Sequence, residues 1–224
     1  MQAEKVQREQ VAIKYRIWTR SAIFLLCGLF FFWSFQQIVA ENTIGFDGAI
    51  REAVNGLEAD WLVGFLFTTL GDKPGVITIM LIAVVLIWWR KKDYIAMGTI
   101  IAGVIVVNEL NKWLKDYTGR ERPMTGPGAE SLSFPSGHAM VGLFFYGLLL
   151  YLILTYTKTG GKRLIILVAG IVFIALLGTS RIFLNYHYPS DVFAGYAAGY
   201  ICLLLGVLTY EGLHSYFQKR MVKP

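Results

Sequence analysis

Charge is scarce in this sequence. Lys, Arg, Asp and Glu together make 16% of its 224 residues, whereas a soluble domain carries roughly 25%. Apolar residues make up 55% and come in long runs, not in short amphipathic stripes. This argues against an ordinary soluble fold and for an all-α polytopic membrane protein, read as a single domain over residues 1–224. Cysteine is scarce too. Cys27 and Cys202 both fall inside apolar runs with no metal-ligand spacing, and they read as small core residues. Neither a repeat period nor a low-complexity segment occurs. Histidine appears only three times, so each position carries weight.

The formal charge of +6 does not make a nucleic-acid binder. Such a protein clusters its basic residues on a soluble face. Here they sit in short groups at the ends of apolar runs, which is the topology signal of membrane proteins. The expected partner is therefore the lipid bilayer, and nucleic acid is not expected.

Six spans are expected. After a basic N-terminal segment (Lys5, Arg8, Lys14, Arg16, Arg20), Ser21 to Val39 reads as an uncleaved first span. It is longer than the roughly 7–15 apolar residues of a signal peptide, and Ile38 stands where a small residue would precede cleavage. Glu41 to Asp60 reads as an acidic, polar connection. Trp61 to Leu70 is apolar but shorter than the roughly 20 residues a crossing needs. It is expected to be a short interfacial or re-entrant helix, acting as a flap at the lateral mouth of a site. The breaker Gly71-Asp72-Lys73-Pro74-Gly75 leads to a second span from about Val76 to Trp89. The remaining spans are expected over Tyr94–Leu114, Ala139–Thr157, Leu164–Thr179 and Val192–Tyr210.

With six spans, one side holds the N-terminal segment, Arg90 to Lys92, Lys158 to Arg163 and the C-terminal tail. These supply 14 of the 21 basic residues, so that side is expected to be cytoplasmic. The opposite, outer side holds three polar islands: Lys115 through Arg122-Pro123, then Pro135-Ser136-Gly137-His138, then Ser180-Arg181 with His187 and Asp191. Parity alone places all three on one membrane face.

Each island has a chemistry. Lys115, Arg122 and Arg181 give three positive donors, Arg as a planar fork and Lys as a flexible point charge, suited to a phosphate dianion. Lys112 and Arg120 read as snorkelling cations at the headgroups. Pro135, Ser136 and Gly137 open a helix whose free N–H groups attract an anion. Capping alone does not account for His138, which would reach the same anion. His187 lies just before a helix and Asp191 in its first turn, so the carboxylate can accept the proton-bearing ring nitrogen and leave the other as a nucleophile. Two histidines and an aspartate could also be metal ligands. Three neighbouring cations would repel a dication and already neutralise charge, so no metal and no cofactor is expected. His214 reads as an interfacial residue.

In this order and spacing the islands resemble the three-part signature of the type-2 phosphatidic-acid phosphatase superfamily, and the six-span layout resembles its integral-membrane branch. The resemblance implies that His187 attacks phosphorus to form a phosphohistidine and that Asp191 orients it. It implies that His138 protonates the leaving alkoxide and later helps activate water. Lys115, Arg122, Arg181, the Ser136 hydroxyl and the Gly137 N–H would hold the phosphoryl oxygens, without metal. The small bacterial members that this chain resembles act on phospholipid or polyprenyl phosphates. Phosphatidylglycerol phosphate is the first expectation and undecaprenyl pyrophosphate the second. A haloperoxidase would share the anion site but is soluble. A transporter would line its spans with charge, whereas these charges gather at one set of ends.

Overall fold

In a computed structural model, which describes residues 2–54, 67–123, 131–157 and 160–221, the chain is helical nearly throughout. The helices are α1 (Gln2–Val39), α2 (Gly45–Val54), α3 (Lys73–Arg90), α4 (Tyr94–Thr118), α5 (Gly137–Tyr156), α6 (Gly161–Phe183) and α7 (Pro189–Met221). Among the described residues six are long and apolar enough to cross a membrane, and α2 is not one of them.

Local chemistry sets the ends. Pro74 sits in the first turn of α3, where a missing N–H costs nothing, so the second span starts at Lys73 and not near Val76. Asp93 caps α4 by accepting from the Ala96 N–H at 2.9 Å. Gly119 ends α4 in the left-handed region (φ 61°) and donates its N–H to the Lys115 carbonyl. That helix runs past Leu114, which puts Lys115 in its last turn. Likewise α6 continues beyond Thr179 to Phe183 and carries Ser180 and Arg181, while α7 starts at Pro189 and extends past Tyr210. The expected polar connection from Glu41 to Asp60 contains a helix, α2. Of the expected flap, residues 61–66 lie outside the described residues, and 67–70 are helical.

Helix α5 is the central element. Half of its most apolar window is buried, against 11% for α1 and α3. Its Met140, Phe144, Phe145 and Leu148 form the core with Ile100 of α4 and Leu177 of α6. In lipid, close backbone approach and dispersion hold helices together, because the tails are as apolar as leucine. Gly195 and Gly199 supply that approach: a Cβ on Gly195 would lie 2.8 Å from the Ser136 carbonyl oxygen, and one on Gly199 would lie 2.7 Å from that of Met140. Leu25, Leu26, Leu81, Val85, Ile165 and Val168 stay exposed on α1, α3 and α6, as lipid-facing surfaces require.

At the end of the bundle away from the islands, Asp93 accepts from Tyr156 at 2.9 Å and from Tyr210 at 2.8 Å. One carboxylate thereby ties α4, α5 and α7. His214 packs beside the Tyr210 ring at that same end, 5.7 Å between centroids.

Candidate active site

The site is built where α4 and α6 end and α5 and α7 begin. Asp191, in the first turn of α7, is fully buried. Its Oδ2 accepts from the Tyr188 N–H at 2.9 Å and from the Ser133 hydroxyl at 2.5 Å. His187 Nδ1 lies 3.6 Å from that same oxygen, longer than a direct hydrogen bond, and 3.2 Å from Ser133 Oγ. Ser133 thus stands between the two members of the expected pair. Its hydroxyl donates to the carboxylate, so its lone pair is available to the Nδ1–H of His187. That arrangement leaves Nε2 unprotonated. Burial pushes His187 down to about 4, against the pull of Asp191 and with the repulsion of Lys115 and Arg122. The imidazole is neutral at physiological pH, as a nucleophile must be.

Arg120 corrects the sequence reading. Its side chain does not reach for headgroups. It is largely buried between two carboxylates, with Nη1 donating to Asp191 Oδ1 at 2.5 Å and to Ser190 Oγ at 2.7 Å, and Nη2 to Asp47 Oδ2 at 2.8 Å. Its guanidinium lies over the Tyr188 ring, 4.1 Å from the centroid. Asp47, on α2, also accepts from the Ser190 N–H and hydroxyl. Sequence reasoning passed over Asp47 and Ser133 and gave Arg120 a different role. Lys112, by contrast, pairs with Glu109 at 2.5 Å on an exposed face.

The other expected residues converge here. Lys115 donates to the Leu132 carbonyl at 2.5 Å and lies in the fields of Arg122, Asp191 and Arg181. Arg122 donates to the carbonyl and hydroxyl of Ser131 at 2.8 and 2.6 Å. Burial holds its guanidinium below the usual arginine range. Arg181, 4% exposed, donates to Thr68 Oγ1 at 2.8 Å and stacks on Tyr186. Its Nε and the Ser136 hydroxyl are buried without a hydrogen-bond partner among the described residues. Ser136 occupies the N-cap of α5, but its side chain makes no cap bond. Its backbone N–H donates to the Asp191 carbonyl at 3.0 Å, which locks the start of α5 to that of α7. A Cβ on Gly137 would lie 3.2 Å from Asn111 Oδ1, and Asn111 fixes the preceding turn through the Pro135 carbonyl at 3.1 Å. His138 Nε2 lies 3.3 Å from the Thr68 carbonyl oxygen and 3.5 Å from Asp72 Oδ1.

A multi-pass helical membrane protein with two histidines, three cations and two orphan donors gathered at one end of its bundle is built to bind and process an anion. Residues 93–214 match the profile of the PAP2 superfamily, and the chain belongs to it. One relative is phosphatidylglycerophosphatase B of Bacillus subtilis, 33% identical over 100 residues that cover 43% of this chain and 49% of that protein. The aligned stretch therefore spans about half the length of that relative. Another is an undecaprenyl-diphosphatase of Sulfolobus acidocaldarius, 26% identical over 202 residues, covering 83% of this chain and 87% of that one. The fold resembles the crystal structure of a transmembrane PAP2-type phosphatidylglycerolphosphate phosphatase from Bacillus subtilis, with TM-score 0.72, 24% identity and coverage of 86% of this chain and 96% of that one. Aquifex aeolicus LpxE follows, with TM-score 0.53, 20% identity and coverage of 71% and 93%.

Proposed function

We propose that the protein is a lipid phosphate phosphatase, and that phosphatidylglycerol phosphate is its first substrate. The observation that carries this reading is the relay from Asp191 through Ser133 to His187, set among Lys115, Arg122 and Arg181. Nε2 of His187 attacks phosphorus as the bond from phosphorus to the leaving oxygen breaks. His138, entering as the imidazolium, gives that oxygen its Nε2 proton and becomes the neutral imidazole, and a phosphohistidine remains. His138 then takes a proton from water, whose oxygen attacks phosphorus and releases inorganic phosphate and free His187. Lys115, Arg122, Arg181, the Ser136 hydroxyl and the Gly137 N–H hold the equatorial oxygens. Such preorganised donors supply most of the catalysis in phosphoryl transfer.

The three cations do the charge neutralisation a metal would otherwise do, so turnover needs no cofactor. The whole chain acts as one domain. Its termini lie on the cytoplasmic side and its site faces outward, as the distribution of basic residues supports. The longer alignment with an undecaprenyl-diphosphatase favours a polyprenyl diphosphate as the second reading.

Phosphate release from a panel of lipid phosphates, measured in EDTA beside a His187→Ala variant, tests this. Release that survives chelation and is lost in the variant is expected. Full activity in the variant would sink the mechanism.

A further inference from the structure

The Asp72 carboxylate has no task in the scheme above, yet it sits beside the group that handles the leaving oxygen. It occupies the N-cap of α3, where an aspartate ordinarily accepts a hydrogen bond from the first turn. Here its side chain makes no cap bond. Instead Oδ1 lies 3.5 Å from His138 Nε2, and the side chain is 50% exposed while the histidine is 9% exposed. Capping does not hold it there. Its backbone is pinned, because the Asp72 N–H donates to the Thr68 carbonyl at 2.9 Å, the same oxygen that faces His138 Nε2 at 3.3 Å. Thr68 in turn binds Arg181. The 68–72 turn is thus anchored to the site on two sides. The neighbouring Lys73 acts on Lys115 and Glu109 of α4, so the two charges of this Asp-Lys pair face different helices.

We infer that Asp72 determines specificity by reading the leaving group, favouring a phosphomonoester of a hydroxyl-bearing alcohol over a diphosphate. This rests on the assignment of His138 as the acid. The leaving oxygen must come within hydrogen-bond reach of His138 Nε2, so the next atoms of the leaving group fall beside the carboxylate. In a diphosphate those atoms are a second, anionic phosphate, and like charges brought together in a partly buried site repel strongly. In a glycerol phosphomonoester they are carbons, and the neighbouring free hydroxyl can donate to Oδ1. Asp72 thereby selects for a leaving group that is uncharged and hydroxylated next to the broken bond and against one that is anionic there.

The test compares kcat/KM within single preparations, so that the fraction of folded enzyme cancels. The substrates are phosphatidylglycerol phosphate, phosphatidic acid with the same acyl chains, and undecaprenyl diphosphate. Wild type is expected to prefer the first. Asp72→Asn, which removes the charge but keeps a hydrogen-bonding group, is expected to raise the diphosphate rate relative to phosphatidylglycerol phosphate by roughly tenfold. Asp72→Ala is expected to do the same and also to erase the preference for phosphatidylglycerol phosphate over phosphatidic acid. Hydrolysis of all three with ratios unchanged in both variants overturns the role of Asp72 while leaving the phosphatase reading intact. No hydrolysis of any of them by wild type overturns both.

Discussion

Asp47 and Arg120 stand 73 positions apart in the chain and close a 2.8 Å salt bridge beside the His187–Asp191 pair. The same guanidinium holds Asp191, so a single cation neutralises two carboxylates that would otherwise repel each other. Removing it leaves both buried without their cation, held only by neutral donors. Arg120→Ala is expected to destabilise the protein by about 3–5 kcal/mol, read as a lowered midpoint of thermal unfolding in detergent. Arg120→Lys, with one point charge for two partners, should fall between the variant and wild type. An unchanged midpoint for Arg120→Ala would show that the brace contributes nothing.

Ser133 is predicted to matter for rate, not for binding. Its hydroxyl joins His187 to Asp191 and makes no hydrogen bond to Lys115, Arg122 or Arg181. Ser133→Ala should lower kcat by about 10–100-fold, the usual cost of losing a group that orients a reactive imidazole, with KM nearly unchanged. Ser133→Thr keeps the hydroxyl and should restore much of the rate. Rapid-quench trapping of phosphoenzyme would locate the loss in the first step.

The pH dependence follows from His187. Its folded value of about 4 lies below the ordinary histidine value of about 6.5, so the unfolded chain binds the proton more readily. Stability is therefore full above about 6.5 and declines as pH falls from there toward 4. Besides burial, the charges acting on the ring are Asp191, which favours its protonation, and Lys115 and Arg122, which oppose it. In kcat/KM for a soluble phosphate ester, the acid limb assigned to this imidazole should fall near pH 4. His187→Gln should flatten the corresponding part of the stability profile. A profile that keeps the same slope in that variant would assign the titration elsewhere.

Gly195 sets how closely α7 approaches the turn before α5. Since a Cβ there would meet both the Ser136 carbonyl oxygen at 2.8 Å and the Ala139 Cβ at 2.9 Å, Gly195→Ala must push the helices apart. The expected cost is about 1–3 kcal/mol, with a fall in kcat because Ser136, Gly137 and His138 move relative to His187. Gly212, whose added Cβ would meet nothing within 4 Å, is the control, and Gly212→Ala should leave both activity and stability unchanged.

The proposed outward orientation of the site is open to direct labelling. With Cys27 and Cys202 replaced, Glu121→Cys, at an exposed position beside the site, should react in intact cells with a membrane-impermeant thiol reagent. A cysteine at Lys162 should react only after lysis. The reverse pattern would invert the topology.

Much of this was legible in the sequence. Run length gave the six spans, and parity gave the shared face of the three islands, because both depend only on order along the chain. Asp47, Arg120 and Ser133 were not legible. Asp47 looked like one more solvated acid in a polar connection, although Phe46, Ile50 and Ala53 around it have the i, i+4, i+7 spacing of an amphipathic helix. Arg120 sits two residues from Arg122 and read as a cation snorkelling to the headgroups. Only the fold separates them, sending one guanidinium inward to Asp191 and the other to Ser131. Their partners lie across gaps in sequence that no local pattern spans. Span ends were missed by a few residues wherever a polar side chain, such as Lys115 or Arg181, rides in the last turn of an apolar helix.

The tie formed by Asp93 bears on alignment at a distance. It joins α4, α5 and α7, which carry Lys115, His138 and Asp191 at their opposite ends. Asp93 and Lys115 are 22 positions apart, about 33 Å at 1.5 Å per residue. An axial slip of one helix past another by a single residue would carry its functional group about 1.5 Å out of place, half the length of a hydrogen bond. By fixing the three shafts at their far ends, one carboxylate resists that sliding, and it acts as a gauge block for a reaction whose tolerances are smaller than the slip it prevents.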